Sequence, residues 1–321
     1  MSEVSGRKIQ KVVITGATGT IGIALVKACI SRQIQVVVLA NPASTRLLRI
    51  PKSSYVTVTY CALEDLGSAR ASDILNAGEN HTADVFFHFA WGGTFGALRN
   101  DFVIQENNVK YALDAVRLAK SMGCHTFVGA GSQAEYGRVS GMLRPDTPCN
   151  PETGYGIYKL KAERDTRSLC SELGLNHIWP RVLSVYGPYD GERTMIMSTI
   201  HKLLNNERPA LTPGGQMWDF LYCDDAARAF LDLAQRGISG NVYPLGSGIA
   251  RPLREYVEIL RDAINPSLEL GFGEVPYSQG QVMHLQADIE SLTKDTGFMP
   301  SVTFEEGIEK TIDWMRQRED R

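Results

Sequence analysis

Short apolar runs recur along the chain, and most are followed by a stretch in which apolar positions return every three or four residues. Lys11–Thr15 (KVVIT), Gln35–Ala40 (QVVVLA), Tyr55–Tyr60 (YVTVTY), Asp84–Ala90 (DVFFHFA), His125–Ala130 and His177–Val182 have the length of strands. Continuous rather than alternating hydrophobicity predicts strands buried on both faces. Helical spacing covers Thr20–Ser31, Phe102–Met122 and Gly154–Leu173. Strand–helix alternation of this kind predicts an α/β fold built on a parallel, doubly wound sheet. After about Gly187 the pattern changes. Turn-rich pieces (GPYDGE, NNERPALTPGGQ, YPLGSGIARP) separate short helices at Met195–Asn205 and Asp224–Arg236, and an amphipathic stretch, Phe304–Arg318, closes the sequence. This part reads as a smaller, irregular second lobe.

The first strand runs into Thr15-Gly16-Ala17-Thr18-Gly19-Thr20-Ile21-Gly22 and then into the first helix. In such a turn Gly16 takes a backbone conformation closed to residues with a Cβ. Gly19 lets the backbone approach a pyrophosphate, and Gly22 allows close packing of helix on strand. The helix N-terminus offers free N–H groups and partial positive charge to phosphates. A glycine triplet between a strand and a helix predicts a dinucleotide site and a Rossmann-type sheet. The expected division is therefore residues 1–186 as the dinucleotide-binding domain, with part of 220–250 returning to it, and 187–321 as mainly a substrate-binding lobe.

Charge and composition narrow the partners. The formal charge of −3 is spread without basic blocks and gives no reason to expect nucleic acid or an anionic membrane. None of the six cysteines forms a C-x-x-C pair or joins histidines at zinc spacing, so no metal is expected, and the thiols read as reduced core residues. The opening MSEVSGRK is short and polar, and no apolar run is long enough to span a bilayer. A cytoplasmic protein is expected.

Candidate chemistry sits at two places. The fifth strand is followed by Gly131-Ser132-Gln133-Ala134-Glu135-Tyr136-Gly137, and the long helix opens with Tyr155 and, four residues on, Lys159. Residues four apart share a helix face. A free phenol titrates near ~10, too high for easy proton exchange at neutral pH, and a nearby ammonium favours the phenolate. Tyr158 and Lys161 are only three apart and do not fit the Y-x-x-x-K spacing.

The glycine turn, with spacing G-x-x-G-x-x-G, together with Ser132, Tyr155 and Lys159, resembles the extended short-chain dehydrogenases/reductases, the NAD(P)-dependent nucleotide-sugar epimerase/dehydratase family. The resemblance extends over nearly the whole chain. Asn108-Val109 matches on the fourth helix. Arg181–Pro188 matches R-x-x-N-V-Y-G-P with Ser184 in place of Asn, and Trp218–Asp225 matches R-D-F-I-Y-V-D-D with Trp218 in place of Arg. Asp288 matches the late A-D-I segment, while the diphosphate-binding Arg usual before it is absent and Met283-His284 stand nearby. The phrases His88–Thr94 and Gly131–Gly137 are similar to the subgroup around CDP-abequose synthase and related 4-keto-6-deoxyhexose reductases.

The resemblance implies a catalytic set of Ser132, Tyr155 and Lys159, in which Tyr155 exchanges a proton with a sugar oxygen, Ser132 orients that oxygen and Lys159 holds Tyr155 acidic. It also implies cofactor contacts from Gly16, Thr18, Gly19, Thr20, Ile21 and Gly22. Further cofactor contacts are implied from Asn41, Arg46, Leu63, Ala90, Trp91, Tyr155, Lys159, Pro180, Val182 and Leu183. Substrate contacts are implied from Trp91, Gln133, Tyr136, Ser184 and Trp218, and homodimerisation through the two long helices. An acidic residue after the second strand would favour NAD. Leu39-Ala40-Asn41-Pro42 has none, and Arg46 and Arg49 follow, which leans to NADP with NAD as the alternative; both arginines also read as solvated loop residues. Where relatives carry an Asp after the third strand, this chain has Cys61-Ala62-Leu63.

Three reactions compete. The 4,6-dehydratases resembling this chain carry Asp-Glu directly after the Ser/Thr, where Gln133-Ala134 stand here, and strand alternation turns Glu135 to the other face, towards a structural partner. A 4-ketosugar reductase is expected first and a 4-epimerase second. A non-catalytic dinucleotide sensor is the alternative of a different class. Trp91 reads as either core or ligand-facing, and His88 as a core histidine.

Overall fold

All six apolar runs pair in one parallel sheet. The computed structural model describes residues 8–75 and 82–319. Strands β1 (Lys11–Thr15), β2 (Gln35–Ala40), β3 (Val56–Tyr60), β4 (Val85–His88), β5 (Thr126–Gly129) and β6 (Asn176–Val182) are joined by β7 (Val242–Leu245). Their spatial order is β7-β6-β5-β4-β1-β2-β3, all parallel. The order reverses between β1 and β4, so the connections leaving these two strands diverge and open a crevice at the carboxyl edge.

The apolar runs divide their residues between two cores. Val12 and Ile14 of β1 face helices α1 (Thr20–Ser31) and α5 (Cys223–Arg236); Val13 faces the opposite side with Phe86 and Phe127, under α2 (Phe102–Ser121). Helix α3 (Gly154–Leu173) packs along α2. Burial on both faces holds for β1, β2, β4 and β5 but not for β3. That strand lies at the sheet edge, and Thr57, Val58 and Tyr60 are exposed, against the expectation of burial on both faces.

On the α2 side a row of rings crosses the sheet. His177 stacks on Trp179 at 5.7 Å and on Phe127 at 6.3 Å, and Phe127 lies 6.2 Å from both Phe86 and His88. The row needs Gly129, because a Cβ there would stand 2.1 Å from the Trp179 ring.

The second lobe carries α4 (Met195–Leu204), the helix Leu253–Ile264 and a small sheet in which Met217–Trp218 lies between Arg251–Pro252 and His284–Leu285. Asp219, fully buried, ties this lobe together by accepting from Ser247 N, Ser247 Oγ, Gly248 N and Ala287 N. Among the described residues no helix is long and apolar enough to cross a membrane.

The overlap at Gly129 leads to a test of the ring row. Gly129→Ala is expected to destabilise the protein by about 1–3 kcal/mol, read as a lower midpoint in urea unfolding with little change in the slope.

Candidate functional site

Two cavities meet the carboxyl edge of the sheet. The first, of about 530 Å³, lies over the ends of β1, β2 and β4 and is lined by Gly16, Thr18, Gly19, Asn41, Arg46, Leu63, Ala90 and Trp91 among the residues singled out from the sequence. Gly16 has φ +72°, and a Cβ on it would meet Ala90 N at 2.5 Å, so only glycine lets the loops after β1 and β4 touch. In front of Gly19 the space is open: a Cβ there would meet only Gly16 O, at 3.8 Å. Gly19 is also the N-cap of α1 and has no capping side chain, which leaves the first-turn N–H groups available to an anion. The turn therefore fits the pyrophosphate of a dinucleotide.

Other expected cofactor residues are placed differently. Thr20, Ile21 and Gly22 do not line this cleft. Gly22 instead packs beneath the turn, where a Cβ would meet Gly16 O at 2.5 Å. Pro180 is buried within β6, just past its pairing with β5. Val182 is half-buried at the end of β6, and Leu183 lines the second cavity. Arg49 is turned away from the cleft, with its guanidinium 5.4 Å from the centre of the Tyr189 ring, which leaves Arg46 as the arginine of this pair that lines the cleft.

Ser132, Tyr155 and Lys159 are brought together. Ser132 ends a two-residue strand, Gly131–Ser132, paired with Arg181–Val182. It then caps a turn of 3₁₀ helix, Gln133–Glu135: Ser132 Oγ accepts from Ala134 N, and Ser132 N donates to Glu135 Oε1 at 2.7 Å. The segment is therefore helical where alternation predicted a strand. The tight turn brings Glu135 back beneath Ser132 and into the core, where Arg181 Nε donates to Oε2 at 2.6 Å and Trp179 Nε1 donates to both oxygens. Burial pushes the Glu135 carboxyl up, and Arg181, Ser132 N and Trp179 pull it back; a guanidinium at 2.6 Å is ion-pair geometry. A structural partner for Glu135 was expected, and Arg181 is that partner.

Helix α3 seats on the same turn. Thr153 caps it by accepting from Gly156 N, and Gly156 lies so close to the turn that a Cβ would meet Ala134 O at 2.3 Å. Tyr155, in the first turn, is thus brought to Ser132, whose hydroxyl lowers the phenol. Lys159, buried one turn later, donates from Nζ to Ala130 O at 2.6 Å and stands 3.8 Å from the centre of the Trp91 ring. Burial raises the Tyr155 phenol, and Ser132 and Arg99 lower it. Lys159 is itself pushed down to about 7 by burial, so at neutral pH its ammonium is only partly formed. Trp91 both packs and faces the cleft: its Nε1 donates to the fully buried Gln105 at 2.8 Å while its ring covers Lys159. Tyr158 turns elsewhere, edge-on to Phe102 at 5.9 Å. His88 is a core residue pushed down to about 3, with Nδ1 on Thr15 Oγ1 at 2.9 Å and no partner at Nε2 among the described residues.

The second cavity, of about 540 Å³, opens into the second lobe and is lined by Ser184 and Trp218, joined by a 2.8 Å bond from Trp218 Nε1 to Ser184 Oγ. Asp190, whose carboxyl burial raises to about 6, Lys202 and Gln216 also line it and were not singled out from the sequence. Gln133 is half-buried beside Ser132. Tyr136 is not on either wall. It has no exposed surface, its hydroxyl donates to Arg144 O at 2.9 Å and Arg181 stacks over its ring, so the expected substrate contact is replaced by a core role. Arg99, above Tyr155, also escaped the sequence reading, because a single arginine in a glycine-rich loop carries no spacing signal.

Comparison with known proteins agrees with this geometry. The model of the NAD dependent epimerase/dehydratase family matches residues 12–246. The dTDP-4-dehydro-6-deoxyglucose reductase of Escherichia coli is similar at 24% identity, over 95% of this chain and 97% of its own length. CDP-abequose synthase of Salmonella muenchen is also 24% identical, over 94% and 97%. Among solved structures, the UDP-N-acetylglucosamine 4-epimerase of Methanobrevibacter ruminantium M1, in complex with UDP-N-acetylmuramic acid, superposes with a TM-score of 0.85 at 25% identity, covering 97% of this chain and 100% of that one.

The depressed Lys159 fixes the sign of a stability effect. The unfolded chain binds a proton at this lysine that the folded chain has released between about pH 7 and the ordinary lysine value of 10.5, so folding becomes more favourable as pH rises through that window. Lys159→Met is expected to flatten this segment of the stability curve, measured by urea unfolding of the cofactor-free protein from pH 6.5 to about 9.5.

Proposed function

Because this chain belongs to the NAD dependent epimerase/dehydratase family, whose members are enzymes acting on nucleotide sugars, we propose that it reduces a nucleotide-linked 4-keto-6-deoxyhexose at C4. The observation that carries the reading is the absence of a usable carboxylate beside Ser132. Gln133 and Ala134 occupy the next two positions, and Glu135 is buried against Arg181. A 4,6-dehydration needs an acid and a base beyond the group at C4; among the described residues no carboxylate directly after Ser132 supplies them, and the Tyr155 phenol is sufficient for carbonyl reduction. When bound, the dinucleotide supplies the hydride. Tyr155 donates the proton to the developing alkoxide, Ser132 hydrogen-bonds the same oxygen and fixes its direction, and Lys159 and Trp91 close the wall behind them. The second cavity holds the remainder of the substrate against Trp218 and Ser184.

The cofactor in this reading is NADPH, because Asn41 and Arg46 face the cleft where an acidic residue would otherwise meet the ribose hydroxyls. A 4-epimerase with NAD is the second reading, favoured by the full-length likeness to the Methanobrevibacter epimerase. The reading also includes a homodimer through α2 and α3, whose outward faces carry the exposed apolar residues Val103 and Ile157. Sedimentation velocity is expected to report twice the chain mass of 35.4 kDa, and a single-chain mass would remove the dimer.

The reaction is tested by NADPH oxidation with 4-keto-6-deoxyhexose nucleotides. Turnover is expected, with Tyr155→Phe at least about a hundredfold slower in kcat and Arg46→Ala raising KM for NADPH more than for NADH. C4 inversion of a nucleotide hexose with bound NAD and no net oxidation would replace the reductase by the epimerase. Tight dinucleotide binding without either reaction would mark a sensor.

A further inference from the structure

The loop after β4 is built more rigidly than a substrate-entry loop needs. Gln105, from α2 and without exposed surface, donates from Nε2 to Gly93 O at 2.9 Å and to Leu98 O at 3.0 Å, pinning both ends of residues 93–98. Asn100 Oδ1 then accepts from Gly154 N at 2.9 Å, which fastens the end of the loop to the first residue of α3. The contact is close: a Cβ on Gly154 would stand 2.9 Å from Arg99 O. Between these two anchors sits Arg99. One guanidinium nitrogen donates to Thr94 O at 3.1 Å, and Cζ lies 4.4 Å from the centre of the Tyr155 ring.

We propose that Arg99 is a positioning residue that stabilises the phenolate form of Tyr155 from the ring face, held there by the doubly anchored loop. A guanidinium keeps its charge at any pH the protein meets, whereas the Lys159 ammonium is only partly formed near neutrality. The charged and titratable groups facing Tyr155 are few. Arg99 comes from the loop, and Lys159, 5.8 Å from the ring centre, from α3 itself. Glu135, from the turn beneath, opposes the phenolate but is neutralised by Arg181. Ser132 acts in the same direction as Arg99. Among the described residues Arg99 is therefore the permanent cation of this set that makes no ion pair with a carboxylate, and the doubly anchored loop holds it on the ring. The assignment rests on Tyr155 being the proton donor of the proposed reaction.

The test reads the phenol first and the reaction second. The ultraviolet difference titration of wild type against Tyr155→Phe isolates one phenol, and Arg99→Leu against Arg99→Leu/Tyr155→Phe isolates the same phenol without the guanidinium. Arg99→Leu is expected to move that titration to higher pH, and Arg99→Lys to restore it in part. In turnover, the basic limb of kcat/KM for reduction moves up with it. The reverse oxidation, which needs the phenolate, falls roughly three- to tenfold at neutral pH without a matching change in dinucleotide affinity. A phenol titration that Arg99→Leu leaves in place overturns the proposal whatever the reaction is. A titration that moves in a protein that turns over no 4-keto sugar leaves Arg99 in its role and removes the reductase reading.

Discussion

The ion pair between Glu135 and Arg181 is the joint on which the site is assembled. Both side chains are buried, and each spends its hydrogen-bonding capacity on structure: Glu135 receives Ser132 N, Trp179 Nε1 and Arg181 Nε, and Arg181 lies over the Tyr136 ring. One carboxylate thus fixes the backbone that presents Ser132, the turn on which α3 seats, and the angle between β6 and the chain leaving β5. Removing one partner of such a pair leaves an uncompensated buried charge, which typically costs about 3–5 kcal/mol. The same burial keeps the carboxylate out of the cleft, so this residue serves structure alone.

Around that joint the electrostatics are arranged by what is kept dry. Lys159 sits under Trp91, whose indole is held by Gln105, so the ammonium is stabilised by a ring face and a carbonyl in place of water. Gly16 performs the corresponding service on the dinucleotide side, letting the loops of β1 and β4 approach until only backbone separates them. The two halves of the site share Trp91 as a wall. The cleft over the glycine turn and the Tyr155/Lys159 pair are therefore coupled through packing.

Much of this was legible in the sequence because the signals were local. Lys11–Thr15, Gln35–Ala40 and Thr20–Ser31 are found within the ranges that periodicity marked. The glycine turn and the Tyr155/Lys159 spacing led to residues that do meet in space. What escaped depends on contacts distant in sequence. Val242–Leu245 carries Pro244 and stands in a turn-rich region, so its pairing with β6 leaves no periodic trace. Glu135 was read by strand alternation although Ser132-x-x-Glu135 is itself the signature of a capping box, and the helical turn won. Tyr136 went from expected ligand contact to core because its burial depends on Arg144 and Arg181, 8 and 45 positions on. Arg99 needed the anchors from Gln105 and Gly154, neither of which has a pattern of its own.

The late return of the chain to the sheet bears on how the molecule is made. Helix α5 packs on α1 and β7 closes the sheet beside β6, so elements from residues 223–245 complete a core begun at residue 11. A nascent chain that has emerged only through the glycine turn, Ser132, Tyr155, Lys159 and β6 still lacks the second cavity and leaves the α1 face of the sheet only partly covered. Such a chain must wait for its covering helix, and long-range closure of this kind is slow. Synthesis rate and chaperone access over that interval, more than any property of the finished site, then set how much of the protein reaches its folded state.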